Sequence, residues 1–102
     1  MRTQGLRDLG AALSPFNAWQ ILQGAETLPI RMERHSQNAQ QLAEYLTGHS
    51  KVEWVNYPGL PDHKTYDIAK KYWKDGMFGA IMGIGVKGGA EAGKKVVESV
   101  KL

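Results

Sequence analysis

The chain has 102 residues, a formal net charge of +3 and no cysteine. Without cysteine, disulfides and cysteine-ligated zinc sites are excluded, and a reducing compartment fits the composition. No stretch reaches the ~20 apolar residues that cross a bilayer, and no apolar signal core follows Met1, so we expect a cytoplasmic protein without membrane contact. The lysines are scattered, as is typical of a solvated surface, and we expect no nucleic-acid partner.

The first predicted helix begins after Ser14. The Ser14 hydroxyl can accept an orphan backbone N–H as an N-cap, and Pro15 suits the first helical position because its missing N–H is not needed there. We expect this helix to run to about Gln23, with Gly24 at its end, where glycine is favoured. No clear periodicity precedes it in residues 1–13.

A second, longer helix is predicted between Thr27, a candidate N-cap, and Thr47. Apolar or small side chains recur along it at offsets that mark one face of an α-helix. That face carries Met32, Ala39, Leu42, Ala43 and Leu46, and the opposite face carries Arg31, Arg34, Gln37, Gln41 and Glu44.

Two strands are predicted in the second half of the chain, at residues 51–57 (KVEWVNY) and 78–86 (FGAIMGIGV). The prolines and glycine of residues 58–62 predict a turn after the first strand. An isolated pair of strands rarely stabilises itself. We therefore expect an α+β piece of a larger protein.

Two more helices complete the predicted order. Residues 65–73 have a helical pattern that Lys74-Asp75-Gly76 interrupts, and a last helix is predicted from Ala90 to Leu102. The inward face of the last helix is expected to carry Val96, Val97 and Val100.

Glycine-rich motifs near the C-terminal helix raise the question of nucleotide binding. The run GGAEAGKK ends at Lys95, where a P-loop would need a Ser or Thr for magnesium. Gly83, Gly85 and Gly88 form G-x-G-x-x-G, but Gly83 and Gly85 fall inside a predicted strand rather than in a strand-to-helix turn. We interpret the region as a strand end, a two-glycine turn at Gly88-Gly89 and a helix.

Other candidate chemistry is sparse. The three histidines, His35, His49 and His63, lack the spacing and the carboxylate neighbours of a metal site, so no metal is expected. Arg7 and Asp8 stand just ahead of the first capped helix. Composition alone favours a surface ion pair, which contributes little to stability.

One long pattern is specific. The chain reads LSP-x-x-A-x-x-x-L-x-G-x-E-T-L-x-x-R-M-x-x-H across residues 13–35, within the run Gly5 to Leu46. This run resembles the pyridoxal 5'-phosphate (PLP)-dependent enzymes of cysteine and methionine metabolism, and within them the O-acetylhomoserine sulfhydrylases. The similarity continues through KVEWVNYPGLPDH and FGAIMGIGVKGG, so that it covers essentially the whole chain.

The resemblance implies a fragment of a fold-type I PLP transferase, with helices packed on a small sheet of its C-terminal domain. Residues 1–30 would end the large PLP-binding domain, and residues 31–102 would form the linking helix and the first part of the small domain. The intact enzyme would be a homo-oligomer, a tetramer in the family. It would convert O-acetylhomoserine, a small amino-acid substrate, and sulfide or a thiol into homocysteine or methionine and acetate.

The sequence departs from the family at the cofactor lysine. The Ser-x-Thr-Lys type motif of the family is not in this sequence, and neither Lys51 nor Lys64 replaces it. We therefore predict no catalytic or cofactor-binding residue here, no PLP bound to this chain alone and no activity of this chain alone. In related lyases a Gly-[Lys/Arg]-Asp stretch lies near the substrate entrance. It is matched here by Gly5, Arg7 and Asp8 with Leu6 between, which makes Arg7 and Asp8 substrate-entrance candidates.

Two alternatives remain open at this point. Within the family, the runner-up is a methionine γ-lyase or an enzyme like cystathionine γ-synthase, which share the C-terminal domain. From a different class, it would be a free-standing binding or structural domain without catalysis.

Overall fold

A computed structural model describes residues 2–101. The chain divides into two compact units, residues 1–31 and residues 32–102. Helices and a two-stranded antiparallel sheet make up the described part, which confirms the α+β prediction. The predicted order of helix, helix, strand, helix, strand, helix is also confirmed, and a π-helical turn at Arg2–Asp8 precedes it.

The first unit contains the π-helical turn and helix α1, Pro15–Glu26. The predicted N-cap is confirmed, because the Ser14 hydroxyl accepts the backbone N–H of Asn17 at 3.2 Å. The predicted end at Gly24 is wrong. The helix continues two residues further because the side chain of Arg31 donates to the Gly24 carbonyl, so that this carbonyl has a partner without a glycine cap.

Helix α2, Leu28–Thr47, follows after the single residue Thr27. Within the second unit its buried side chains are small, at Ser36, Ala39 and Ala43. Small side chains at successive turns let other elements approach the helix backbone closely. The predicted inward face is therefore confirmed at Ala39 and Ala43, whereas Met32 and Leu42 stay exposed.

Strands β1, Val52–Asn56, and β2, Gly83–Val86, pair antiparallel, with Trp54 opposite Gly85 and a register irregularity between Val52 and Trp54. A Cβ at Gly85 would collide with the Trp54 indole, so a glycine is required there for the ring to lie across the strand. The predicted second strand, residues 78–86, is too long. Phe78 and Gly79 are buried outside the sheet, and the chain cannot continue as a regular strand through Gly79 because its φ is +89°.

The core of the second unit surrounds Tyr57, which is 0% exposed. Its other buried apolar members come from α2, α3 and the segment before β2; they are Ala39, Ala43, Ala69 and Phe78. The Tyr57 hydroxyl donates to the carbonyl of Gly79 at 2.9 Å, so this buried polar group has a partner. The core therefore forms where the first strand ends, and not on the sheet itself.

Two helices complete the second unit. Helix α3 spans Tyr66–Tyr72, and a short turn at Lys74–Gly76 ends it, as predicted. Helix α4 spans Gly89–Ser99, and the predicted run to Leu102 is too long, because Val100 already has extended backbone angles, φ −67° and ψ 128°.

The predicted inward face of α4 is wrong. The three valines predicted to face inward are exposed: Val96 and Val97 on α4, Val97 at 79%, and Val100 just after the helix. They are exposed because no described element of the second unit covers that side of the helix.

In residues 2–101, no helix combines the length and the apolar character needed to cross a membrane.

Candidate functional site

The sequence-predicted site residues, Arg7 and Asp8, stand at the end of the π-helical turn. The Arg7 Nε lies 3.1 Å from the Asp8 Oδ1, and the two side chains are 76% and 51% exposed. An ion pair this exposed contributes about 0–1 kcal/mol to stability. Both charges therefore face solvent, as a surface pair would and as a substrate entrance would need.

The turn that carries this pair has the i to i−5 hydrogen bonding of a π-helix. The backbone N–H of Leu9 donates to the carbonyl of Gln4 at 3.2 Å, five residues back. Such π-helical turns are rare and often occur at functional sites. The sequence reading missed the turn because residues 1–13 show no apolar periodicity. The one signal that bears on this region is the Gly-x-Arg-Asp stretch itself.

Arg7 keeps most of its donors for another partner. A guanidinium carries five N–H groups, and within the described residues only the Nε of Arg7 makes a side-chain hydrogen bond, to Asp8. The arrangement can attract an anion such as a substrate carboxylate, and Asp8 limits the orientation of the guanidinium. Within the described residues, neither side chain forms a hydrogen bond or ion pair with a third residue.

The second unit contains a cleft of ≈ 710 Å³ that sequence reasoning did not anticipate. It lies where β1 ends, beside the loop that carries both prolines and the glycine of residues 58–62. Its lining includes Glu44, Trp54, Asn56, Leu60, Asp62 and His63. The pairing of an aromatic strand with a Pro-Gly loop was the available signal.

His63 fixes one wall of this cleft. Its Nε2 lies 2.7 Å from the Asn56 Oδ1, and its Nδ1 accepts the backbone N–H of Thr65 at 3.2 Å. Because Nδ1 accepts a hydrogen bond there, Nε2 carries the ring proton and donates a hydrogen bond to the Asn56 Oδ1. Both ring nitrogens are therefore used to fasten the loop to β1, and the predicted loop position of His63 is confirmed.

The chain's own residues do not fit a Schiff-base site for PLP. A Schiff-base lysine needs a desolvated pocket that lowers its pKa. Every lysine within residues 2–101 is exposed, including Lys51 and Lys64. These residues also bring together no group of three His, Asp or Glu side chains that could hold a metal ion.

The glycine motifs have the local structure that the sequence predicted. Gly83 and Gly85 lie in β2, and Gly88 and Gly89 turn the chain into α4 with positive φ angles of 104° and 68°. Gly93 and Lys94 lie inside α4. A P-loop needs its glycines on a loop ahead of the helix, so the GGAEAGKK run lacks that geometry.

Comparison with known proteins gives a consistent result. A crystal structure described as an O-acetylhomoserine (thiol)-lyase of Campylobacter jejuni, which carries a pyridoxyl-lysine phosphate, superposes with a TM-score of 0.92 at 38% identity. The match covers 99% of this chain and 25% of that one.

Two relatives are similar along the same stretch. The O-acetyl-L-homoserine sulfhydrylase of Leptospira meyeri is 63% identical over 99% of this chain. The homocysteine synthase of Schizosaccharomyces pombe is 54% identical over 99%. The chain spans 23% of the length of each relative. Residues 2–102 match the profile of the Cys/Met metabolism PLP-dependent enzymes, and the chain belongs to that family.

Proposed function

We propose that this chain is part of an O-acetylhomoserine sulfhydrylase, which converts O-acetylhomoserine and sulfide into homocysteine and acetate. The observation that carries the proposal is the 63% identity to the Leptospira meyeri sulfhydrylase over nearly the whole chain. The matched stretch covers 99% of the chain. The cofactor of the intact enzyme would be PLP, held by residues that this sequence does not contain.

The two units would belong to different domains of the intact enzyme. Residues 1–30 would end the large PLP-binding domain, and residues 31–102 would form the linking helix and the first part of the small domain. The division of the chain between Arg31 and Met32 supports this assignment. The exposed apolar surface of α1 also supports it, since such surface is normally covered by other parts of a protein.

The activity is tested with the full-length gene product that contains this chain. Purified enzyme is given O-acetylhomoserine and sulfide, and homocysteine and acetate are measured. We expect both products in equal amounts. Release of 2-oxobutyrate and methanethiol from methionine, without homocysteine formation, would identify a γ-lyase instead. Formation of cystathionine and acetate from O-acetylhomoserine and cysteine, without use of sulfide, would identify a γ-synthase.

Arg7 and Asp8 would act at the substrate entrance of that enzyme. The exposed guanidinium would attract the substrate carboxylate, while Asp8 holds it in one orientation. In the full-length enzyme, Arg7→Ala should raise KM for O-acetylhomoserine several-fold, and Asp8→Ala should have a smaller effect. Arg34→Ala, an exposed arginine on α2, is the control. Unchanged KM and turnover in both variants would refute this role.

By itself, the chain would be inactive and would not hold PLP. The exposed lysines support this, because none of them has the desolvated surroundings that a Schiff-base lysine requires. Residues 1–102 mixed with equimolar PLP should show no visible absorbance that borohydride removes. A stoichiometric, borohydride-sensitive absorbance would contradict the proposal.

The intact enzyme would assemble as a homo-oligomer, a tetramer by analogy with its family. The apolar side chains exposed on α1 and α4 are compatible with further contacts in a larger assembly. Light scattering on the full-length enzyme tests this directly. A monomer at micromolar concentration would rule the assembly out.

A further inference from the structure

The side chain of Arg31 reaches backwards across the junction between α1 and α2. Its Nη2 donates to the carbonyl of Gly24 at 2.7 Å, and its Nε donates to the Thr27 hydroxyl at 3.2 Å. Its backbone N–H donates to the Thr27 carbonyl at 3.1 Å and so closes the first turn of α2. One residue therefore contacts the last turn of α1, the residue between the helices and the start of α2.

The Thr27 side chain has a different role from the predicted one. As an N-cap its hydroxyl would accept a backbone N–H of the first turn of α2. In the structure it accepts the guanidinium of Arg31 instead, while its carbonyl begins the helix. Thr27 has helical angles, φ −95° and ψ −3°, so that α1 passes into α2 almost without a break.

The electrostatics of the two helices explain why an arginine is placed there. The C-terminal end of a helix favours a cation, and its N-terminal end disfavours one. The last turn of α1 carries no basic residue, and the first turn of α2 carries no acidic one. Arg31 is thus unfavourable for the helix that it belongs to and favourable for the end of the preceding helix.

We propose that Arg31 locks the junction of α1 and α2, with Gly24 and Thr27 as its two acceptors. The planar guanidinium suits this role because two of its donors point at two acceptors at once, which a lysine ammonium cannot match with the same geometry. The lock holds the last turn of α1 and the first turn of α2 together across Thr27. It goes beyond the proposed function and does not depend on the identity of the substrate.

The test is amide hydrogen exchange on the full-length gene product, with and without Arg31→Ala. We expect the amides of residues 24–31 to exchange about three to tenfold faster in the variant, because a charge-assisted contact that closes this junction is lost. Exchange in β1 should not change. Arg34→Ala, which removes an exposed arginine one turn further along α2, should leave residues 24–31 as in the wild type.

Three further substitutions keep the test decisive if Arg31→Ala fails to fold. Thr27→Val removes one acceptor with little change in shape and should accelerate the same amides less than Arg31→Ala does, while Thr27→Ser should behave as wild type. Arg31→Lys should be intermediate. Exchange in Arg31→Ala equal to that in wild type, or equal acceleration by Arg31→Ala and Arg34→Ala, would overturn the lock. Because exchange is measured without substrate, these outcomes are independent of the enzymatic assay.

Discussion

The two units of the chain are organised by different forces. In the first unit, α1 buries none of its residues, and its large apolar side chains, including Phe16 and Trp19, are exposed. In the second unit, side chains from α2, α3 and the segment after β1 close around Tyr57. Hydrogen bonds at helix ends shape the first unit, whereas burial of apolar surface stabilises the second.

This contrast teaches where the free energy of unfolding resides. A hydrogen bond at an exposed site adds little net free energy of unfolding, whereas burial of a large side chain adds about 1.5–3 kcal/mol. Substitutions in the second unit should therefore change the unfolding of this chain far more than matched substitutions in the first.

The largest difference is expected between two aromatic truncations. Tyr57→Ala should lower the free energy of unfolding by about 3–5 kcal/mol, since it leaves a cavity at a fully buried site and an unpaired Gly79 carbonyl. Trp19→Ala removes a larger ring that is exposed, and it should change stability by less than about 0.5 kcal/mol. Urea unfolding of residues 1–102, followed by circular dichroism, measures both. Equal losses would break the contrast between the units.

A pair of glycine substitutions should have effects of opposite sign. A Cβ at the buried Gly59 would lie 2.9 Å from the Phe78 ring and 2.5 Å from the Tyr57 ring, so Gly59→Ala should cost about 1–3 kcal/mol through overpacking. Gly24 lies inside α1 with no atom near the added methyl. Gly24→Ala should therefore increase helix stability by about 0.5–1 kcal/mol.

Urea unfolding of the two glycine variants beside wild type decides the outcome. A Gly59→Ala protein as stable as wild type would mean that the loop moves away from the core without cost. A destabilised Gly24→Ala protein would mean that α1 is not helical at that residue.

The Tyr57 hydroxyl provides a smaller and pH-dependent test. Tyr57→Phe keeps the ring but leaves the Gly79 carbonyl unpaired, so it should cost about 1–2 kcal/mol at neutral pH. Burial raises the pKa of Tyr57 above its ordinary value of 10.0, because desolvation disfavours the phenolate.

The sign of the pH effect follows from that shift. Since the folded pKa exceeds the unfolded one, the stabilising contribution is complete below the unfolded pKa and is lost as the pH rises through the folded pKa. The stability gap between wild type and Tyr57→Phe should therefore narrow above about pH 10. Urea midpoints of both proteins from pH 8 to pH 11 measure this gap, and a constant gap would show that Tyr57 titrates as an exposed tyrosine.

Local signals in the sequence predicted the elements well and their packing less well. Ser14 and Pro15 define the start of α1, and the β-branched run after Lys51 defines β1, because both signals act over a few residues. The predicted end of α1 was wrong because Arg31, seven residues past Gly24, donates a hydrogen bond to the Gly24 carbonyl. Such contacts depend on geometry that no local pattern encodes.

Burial was predicted less reliably because apolar character does not show what covers a side chain. The valines of α4 have the periodicity of a buried face, yet no described element of their unit covers them. Phe78 was placed in a strand, but its ring is buried in the core and the chain reaches β2 only at Gly83. Of the candidate sites, the sequence predicted only Arg7 and Asp8. The cleft beside His63 could not be predicted, because it forms only when the loop after β1 folds against the strand.

The smallest change in stability is expected for a polar substitution on α1. Leu22 is exposed, so Leu22→Gln should change the free energy of unfolding by less than about 0.5 kcal/mol. It should nevertheless reduce self-association of residues 1–102, because exposed apolar patches promote contact between copies. Gln23→Ala, on the same helix, is the control, since it removes no apolar surface. Light scattering at increasing protein concentration measures association, and equal scattering by Leu22→Gln and wild type would show that α1 is not the surface through which copies associate.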